Sequence, residues 1–163
     1  MSPSEVVLLL AAIVLTALLV ADWLRRYQQK QAVAVCYRLV QNAPGKVEFL
    51  LVRTSNGKRW VFPKGRIARG ESAAEAAARE AREEAGIEGC VAGRLPKAAN
   101  ADATFAPYLL EVDTNAKLSK AERESEWFTL SAAEEALRKG RTKKEAKPWL
   151  RILSVAALRL NAK

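Results

Sequence analysis

The segment from Gly65 to Ile87, GRIARGESAAEAAAREAREEAGI, constrains this chain more than any other. Its alanines and long polar residues favour helix, Ser72 can open that helix, and Gly86 can close it. The pattern predicts a loop over Gly65–Gly70 and a helix over Ser72–Ala85. At about 100° per residue, Glu80, Glu83 and Glu84 share one narrow face. Ala74, Ala77, Ala78, Ala81 and Ala85 form a flanking stripe small enough to pack closely on a sheet. Three carboxylates on one patch repel unless cations answer them. A ladder of Glu75, Arg79 and Glu83 at i, i+4 spacing contributes only about 0.2–0.5 kcal/mol per pair, and would suit a merely solvated helix. A solvated helix, however, needs neither glycines at set distances nor acids beside its packed stripe. Clustered hard oxygen ligands on a rigid helix are what Mg²⁺ or Mn²⁺ takes.

Around this helix the chain alternates elements. QAVAVCYRLV reads as a strand, NAPGK (Asn42–Lys46) as a turn, and VEFLLVRTS as a second strand closed by a hairpin-type turn at Asn56–Gly57. RWVFP is a short extended stretch stopped by Pro63. CVAGRL, FAPYLLEV and SEWFTL read as further strands. SAAEEALRK reads as a helix with Ser131 as N-cap and Glu134 completing a capping box. PWLRILSVAALRL reads as a last amphipathic helix with Leu150, Leu153, Ala157 and Leu160 on its apolar face. Strands, one helix, more strands and then helices predict an α/β (α+β) layer fold with a mixed sheet.

Composition narrows the chemistry. The 163 residues contain no histidine, which excludes Ser-His-Asp or Cys-His machinery and every histidine-bearing zinc site. An enzyme built from this chain must draw its base from a carboxylate, a lysine, a tyrosine or a water activated by a metal. Cys36 and Cys90 are too few for a disulfide framework, and both read as small core residues. The net charge is +9; Glu5 and Asp22 stand ahead of the first basic residue, Arg25, so the rest of the chain carries +11. Such a surface attracts polyanions: phosphate-rich metabolites, nucleic acid or acidic lipid.

The N-terminus differs in kind. From Val6 to Ala21 there is no charge, and Thr16 is the one polar side chain. Extended through Asp22, Trp23 and Leu24, the span falls at the short end of the roughly 17 to 25 residues that cross a bilayer. Trp23 and Tyr27 suit an interfacial belt, and Arg25, Arg26 and Lys30 follow at once. No lysine or arginine precedes the apolar stretch, and no small-x-small cleavage site follows it. The expectation is a single-pass anchor over residues 1–27, with the N-terminus outside and a domain of residues 28–163 in the cytoplasm. A cleaved signal peptide and a buried core helix are the alternatives.

The segment 65–87 resembles the Nudix box, G-x5-E-x7-R-E-U-x-E-E-x-G-U with U aliphatic, through Gly65, Glu71, Arg79, Glu80, Ala81, Glu83, Glu84, Gly86 and Ile87. Every fixed position matches; Ala81 is small for its aliphatic slot. The resemblance extends from about Gln31 to Leu153. GRL (Gly93–Leu95), EWF (Glu126–Phe128) and KPW (Lys147–Trp149) resemble the diphosphoinositol polyphosphate phosphohydrolases, and FPKG (Phe62–Gly65) resembles the diadenosine polyphosphate hydrolases. The glycine-rich turn and the basic loop after the box that mark the diphosphoinositol branch are absent: PKAANADATFAP stands where that loop would be.

What the resemblance implies is a Nudix-type α/β/α sandwich, preceded by the membrane helix, that hydrolyses a phosphoanhydride in a small polyphosphorylated substrate. It implies that Glu83 and Glu84 ligate Mg²⁺ (or Mn²⁺), that the Gly65 carbonyl adds a ligand, and that Glu80 helps to hold the attacking water and is a candidate base. It implies that Arg79 orients the glutamates and Glu71 braces the loop. Glu122, Glu124 or Glu126 could instead supply the base. Lys64, Arg66, Arg59 and Lys147 are the candidates to grip substrate phosphates, with Arg53 and Lys58 behind them. Trp60 and Trp127 could stack a nucleobase or pack in the core. The run Arg138–Lys147 could touch acidic lipid near the anchor, or RNA, or be an exposed loop between helices. Hydrolysis of a 5′-triphosphate end on RNA, or a non-catalytic nucleotide-sensing module at the membrane, are the alternative functions.

Overall fold

The computed structural model describes residues 2–27, 31–40, 43, 45–96, 104–113 and 120–161. The neck Gln28–Lys30, Asn42 and Pro44 of the first turn, and most of the segment after Pro96 lie outside the described residues, as do the side chains of Trp23, Arg25, Arg26 and Tyr27.

Helix α1 (Pro3–Tyr27) contains the apolar stretch. Its side chains from Pro3 to Val20 are not buried against the rest of the chain, so the core-helix alternative does not hold. The Thr16 hydroxyl donates to the Ala12 carbonyl one turn back, which pairs the one polar side chain between Val6 and Ala21. By length and composition α1 can cross a membrane.

The strands are β1 (Gln31–Leu39), β2 (Val47–Arg53), β3 (Trp60–Val61), β4 (Lys64–Arg66), β5 (Cys90–Arg94), β6 (Phe105–Glu111) and β7 (Ser125–Thr129). The helices after α1 are α2 (Ala73–Ala85), α3 (Leu130–Arg138) and α4 (Lys143–Asn161). The sheet is mixed, in the order β3-β2-β1-β6-β5, with β4 paired to β1 and β7 to β2. The β1–β6 pair is parallel and the others are antiparallel. Ala32 to Tyr37 of β1 and Phe49 to Val52 of β2 are all buried. Successive strand residues face opposite sides, so both faces of the sheet are covered, which explains why these strands read as unbroken apolar runs. Helix α2 packs on β1, β4, β5 and β6; α3 packs on β2, β3, β7 and α4.

Several expectations change in detail. Gly65 and Arg66, expected to open the loop, instead join Lys64 in the strand β4, which pairs with the first residues of β1 so that Gly65 stands opposite Ala32. The N-cap of α3 is Thr129, whose hydroxyl accepts from the Ala132 amide, rather than Ser131. Helix α4 begins at Lys143, ahead of Pro148; Thr142 and Glu145 form its capping box, so half of the basic run is helical and not loop. Its buried face is Ala146, Trp149, Ile152, Leu153 and Ala156, one residue round from the expected stripe, and Leu150, Ala157 and Leu160 flank it half-buried. Aromatic anchoring sets that rotation: Trp149 packs between Phe62 and Phe105. Cys90 is exposed on an edge strand, and Cys36 alone is a core cysteine.

Candidate active site

The site is built where β4 meets α2. Ser72 and Glu75 form a reciprocal capping box at the start of α2. This draws Glu75 away from the expected ladder with Arg79. At the other end Gly86 takes the left-handed conformation, φ 67° and ψ 24°, and closes the helix through its amide to the Ala81 and Arg82 carbonyls. The alanine face that meets the sheet is Ala76, Ala77, Ala81 and Ala85, with Ala74 and Ala78 at its margin. Alanine at position 81 has no accessible surface, so the small residue there reflects close approach of helix to sheet.

The three glutamates separate by burial. Glu80 and Glu84 are 8% and 4% exposed, whereas Glu83 faces solvent. Two buried carboxylates one helical turn apart are costly without cations, and all three sit toward the helix C-terminus, where the backbone dipole disfavours negative charge. Arg79 supplies one cation. Its Nε donates to Glu71 Oε1 at 2.9 Å, Nη1 donates to Glu80 at 2.7 Å and to Glu83 at 2.9 Å, and Nη2 donates to the Arg66 carbonyl at 2.9 Å. Hydrogen bonding to Glu71 and then Glu80 raises the Arg79 pKa, and the same Arg79 contact holds the Glu71 carboxyl below its ordinary value, helped by the Ala68 amide.

Glu84 has a different partner. Arg123 Nη2 lies 2.8 Å from Glu84 Oε1, and the Lys64 amide donates to Oε2 at 3.2 Å. Burial nevertheless holds the Glu84 pKa above the ordinary carboxylate value, with the Glu80 charge adding to that rise. The Glu122 and Arg123 amides donate to the Glu83 and Glu84 carbonyls, so the segment before β7 closes the end of α2. The expected bracing by Arg79 thus has a second, unforeseen half in Arg123. Its one signal in the sequence is its place as the single base in AERESEWF.

The Glu80 carboxylate occupies the space that a side chain at position 65 would need. A Cβ on residue 65 would fall on the Glu80 carboxylate, so any side chain there would push that carboxylate out of its place. The Glu80, Glu83 and Glu84 carboxylates and the Gly65 carbonyl are all hard oxygen donors of the kind a divalent ion takes, and the two buried charges at Glu80 and Glu84 favour a cation beside them. The donor chemistry therefore fits Mg²⁺ or Mn²⁺. Among the described residues no three carboxylates converge on one point, because Arg79 stands between Glu80 and Glu83.

The phosphate-binding candidates divide. Lys64 and Arg66 flank Gly65 on β4. Arg59 pairs with Glu145 at 3.3 Å, and Lys147 lies exposed on α4. Lys58 lies in the β2–β3 turn, and Arg53 stacks on Trp60 at 4.2 Å. Trp60 is a buried core residue; Trp127 is half-buried, with Arg38 over its ring at 4.4 Å. Of the downstream glutamates, Glu122 adjoins the site through its backbone, Glu124 faces Arg53 at 3.8 Å, and Glu126 lies exposed in β7 opposite Leu51. A cavity of about 540 Å³ opens beside Arg79, lined also by Glu71, Glu75, Arg69 and Arg82. The two last arginines carry no sequence signal beyond their charge. A larger cavity of about 740 Å³ lies between the β1–β2 hairpin and α3–α4, and no box residue lines it.

Four carboxylates share two arginines at this helix end, which leaves hard oxygen donors and net negative charge beside the glycine strand, the setting in which a divalent cation binds. The NUDIX domain model matches residues 30–150. The chain belongs to that family, and is with it a pyrophosphohydrolase. Solved structures of similar fold include a C. elegans Ap4A hydrolase in a binary complex, 23% identical over 83% of this chain and 99% of that one, with a TM-score of 0.58. A second structure of C. elegans Ap4A hydrolase matches at 23% identity over 82% of this chain and 96% of that one, with a TM-score of 0.51. The Nudix hydrolase RenU from M. smegmatis matches at 17% identity over 80% of this chain and 88% of that one, with a TM-score of 0.56.

Proposed function

We propose that this chain is a membrane-tethered Nudix hydrolase that uses Mg²⁺ (or Mn²⁺) to cleave a phosphoanhydride bond in a small polyphosphorylated metabolite, with dinucleoside polyphosphates the leading class. The observation that carries this reading is the Arg79 network, which holds Glu71, Glu80, Glu83 and the Arg66 carbonyl in one constellation. The fold shared with Ap4A hydrolases supports the substrate class. Helix α1 supports the tether, with the hydrolase domain on the cytoplasmic side.

In this reading Glu83, Glu84, Glu80 and the Gly65 carbonyl hold the metal, which when bound neutralises phosphate charge and makes water more acidic. Arg79 keeps Glu80 and Glu83 aimed, and Arg123 opposes the rise that burial imposes on the Glu84 pKa. A Glu80 carboxylate oxygen receives the proton of the attacking water, a role open to a carboxylate in a chain without histidine. Lys64 and Arg66, on the strand that carries Gly65, bind the phosphates that do not react.

The test is product release by the full chain in detergent, supplied with Mg²⁺ or Mn²⁺ and a panel of substrates. The panel holds dinucleoside polyphosphates, nucleoside triphosphates, nucleotide sugars, inositol pyrophosphates and triphosphorylated RNA, each also with chelator. Turnover of dinucleoside polyphosphates that chelator abolishes is the expected result. Turnover confined to triphosphorylated RNA would replace the substrate class, and metal-independent turnover would end the mechanism.

A further inference from the structure

We infer that the first half of α4 is a lipid-facing surface that lays the domain against anionic headgroups of the same membrane that α1 enters. The inference rests on the reading of α1 as a membrane span. Three observations carry it.

The first is charge. Lys143, Lys144, Lys147 and Arg151 are all exposed, and none makes an ion pair among the described residues. At about 100° per residue these four fall on one stripe about 100° wide. The stripe lies opposite the buried face of Ala146, Trp149, Ile152, Leu153 and Ala156. The acid within this stretch, Glu145, is already used in capping Thr142 and pairing Arg59, and Arg141 is turned inward to the Trp60 and Leu137 carbonyls.

The second is position. The Trp149 ring lies 5.1 Å from Phe105, and Phe105 is the β6 partner of Gln31, the first residue of β1. Only three residues separate Gln31 from the end of α1 at Tyr27, so those two lie within about 14 Å of each other. Helix α4 then runs away from that end: its last turn, at Leu160 and Asn161, lines a cavity with Val40 and Val47 at the far end of β1. The cations thus occupy the half of α4 nearest to where the chain leaves α1.

The third is chemistry. Phosphate headgroups are diffuse anions that need no shaped pocket, which suits four free cations on a convex helix face. In sequence, Arg25, Arg26 and Lys30 follow the apolar stretch directly, the order of a polybasic segment beside a membrane span. An exposed stripe far from α1 would carry no such implication.

The test uses the full chain reconstituted into phosphatidylcholine vesicles, with or without phosphatidylglycerol, and measures acylation of each lysine by mass spectrometry. Lys46, exposed in the hairpin at the far end of β1, is the internal control. Phosphatidylglycerol should slow labelling of Lys143, Lys144 and Lys147 by about fivefold, the factor for one basic side chain at an anionic surface, while Lys46 is unchanged. High salt should restore the rate. Equal rates in both vesicles, in chain that withstands an alkaline wash, would overturn the surface and leave the anchor standing. Chain that washes off would overturn the anchor on which the surface depends. Protection by an RNA oligonucleotide and not by phosphatidylglycerol would assign the stripe to nucleic acid and refute the proposal.

Discussion

Arg123 and Glu84, thirty-nine positions apart in the chain, form an ion pair at 2.8 Å in which the carboxylate is almost wholly buried. The pair ties the segment before β7 to the helix that carries the family motif. It also sets the ionisation of a metal-ligand candidate, since burial raises the Glu84 pKa and Arg123 opposes that rise.

Replacing Arg123 with methionine should therefore act through pH. Glu84 would lose its cation, its pKa would rise further, and the acid limb of kcat/KM would move to higher pH. The sign for stability follows from the same shift. A carboxyl whose folded pKa is raised binds its proton more readily in the folded chain, so stability falls as pH rises from the ordinary carboxylate range through the raised value. Arg123→Met should widen that window and cost about 3 kcal/mol at neutral pH, read by denaturation across pH. A profile superimposable on the parent would remove Arg123 from the site.

Gly65→Ala separates site from fold. The new methyl would first meet the Glu80 carboxylate, the far end of a side chain that can move. Turnover should fall by about a hundredfold as Glu80 is displaced, while stability changes by less than about 1 kcal/mol. Steady-state rates beside a thermal melt check this, and full activity would show that Glu80 need not lie against Gly65.

Glu83→Gln and Glu84→Gln should each lower kcat by about 10²–10⁴. Glu83 is exposed and its change should leave the melt unaltered. Glu84→Gln removes a buried charge, so the melt should become less dependent on pH in the range where Glu84 titrates. Activity retained in both variants would return α2 to the role of a solvated charged helix.

Arg79→Lys keeps the charge and loses the fork. One ammonium cannot reach Glu71, Glu80, Glu83 and the Arg66 carbonyl together. Activity should drop about 10- to 100-fold, with a stability loss of about 1–2 kcal/mol, measured by kinetics and chemical denaturation. Near-parental kinetics would mean that charge alone suffices there.

Much of this was legible because it is local. The glycine closing α2, the alanine stripe and the i, i+3, i+4 carboxylates are separated by at most a few helical turns, so spacing alone places them, whereas the capping box that takes Glu75 from its expected ladder was not read. The strands declared themselves through β-branched runs, and α1 through sixteen residues without charge. The reading faltered where a neighbour distant in sequence decides. Lys64–Arg66 is strand only because β1 offers it a partner, and the apolar face of α4 is turned by Phe62 and Phe105.

By itself, then, the sequence determined the family box, the absence of histidine chemistry, the apolar N-terminal helix and the basic balance, since each is a property of residues close in the chain or of composition. The tertiary structure decided which glutamates are buried, that Arg123 rather than a nearby base meets Glu84, that Glu80 fills the space beside Gly65, and that Trp149 of α4 packs on Phe105, the register partner of the first residue of β1. Charge and burial depend on what surrounds a group in space, and that is set by sheet register and helix rotation, which no local spacing encodes.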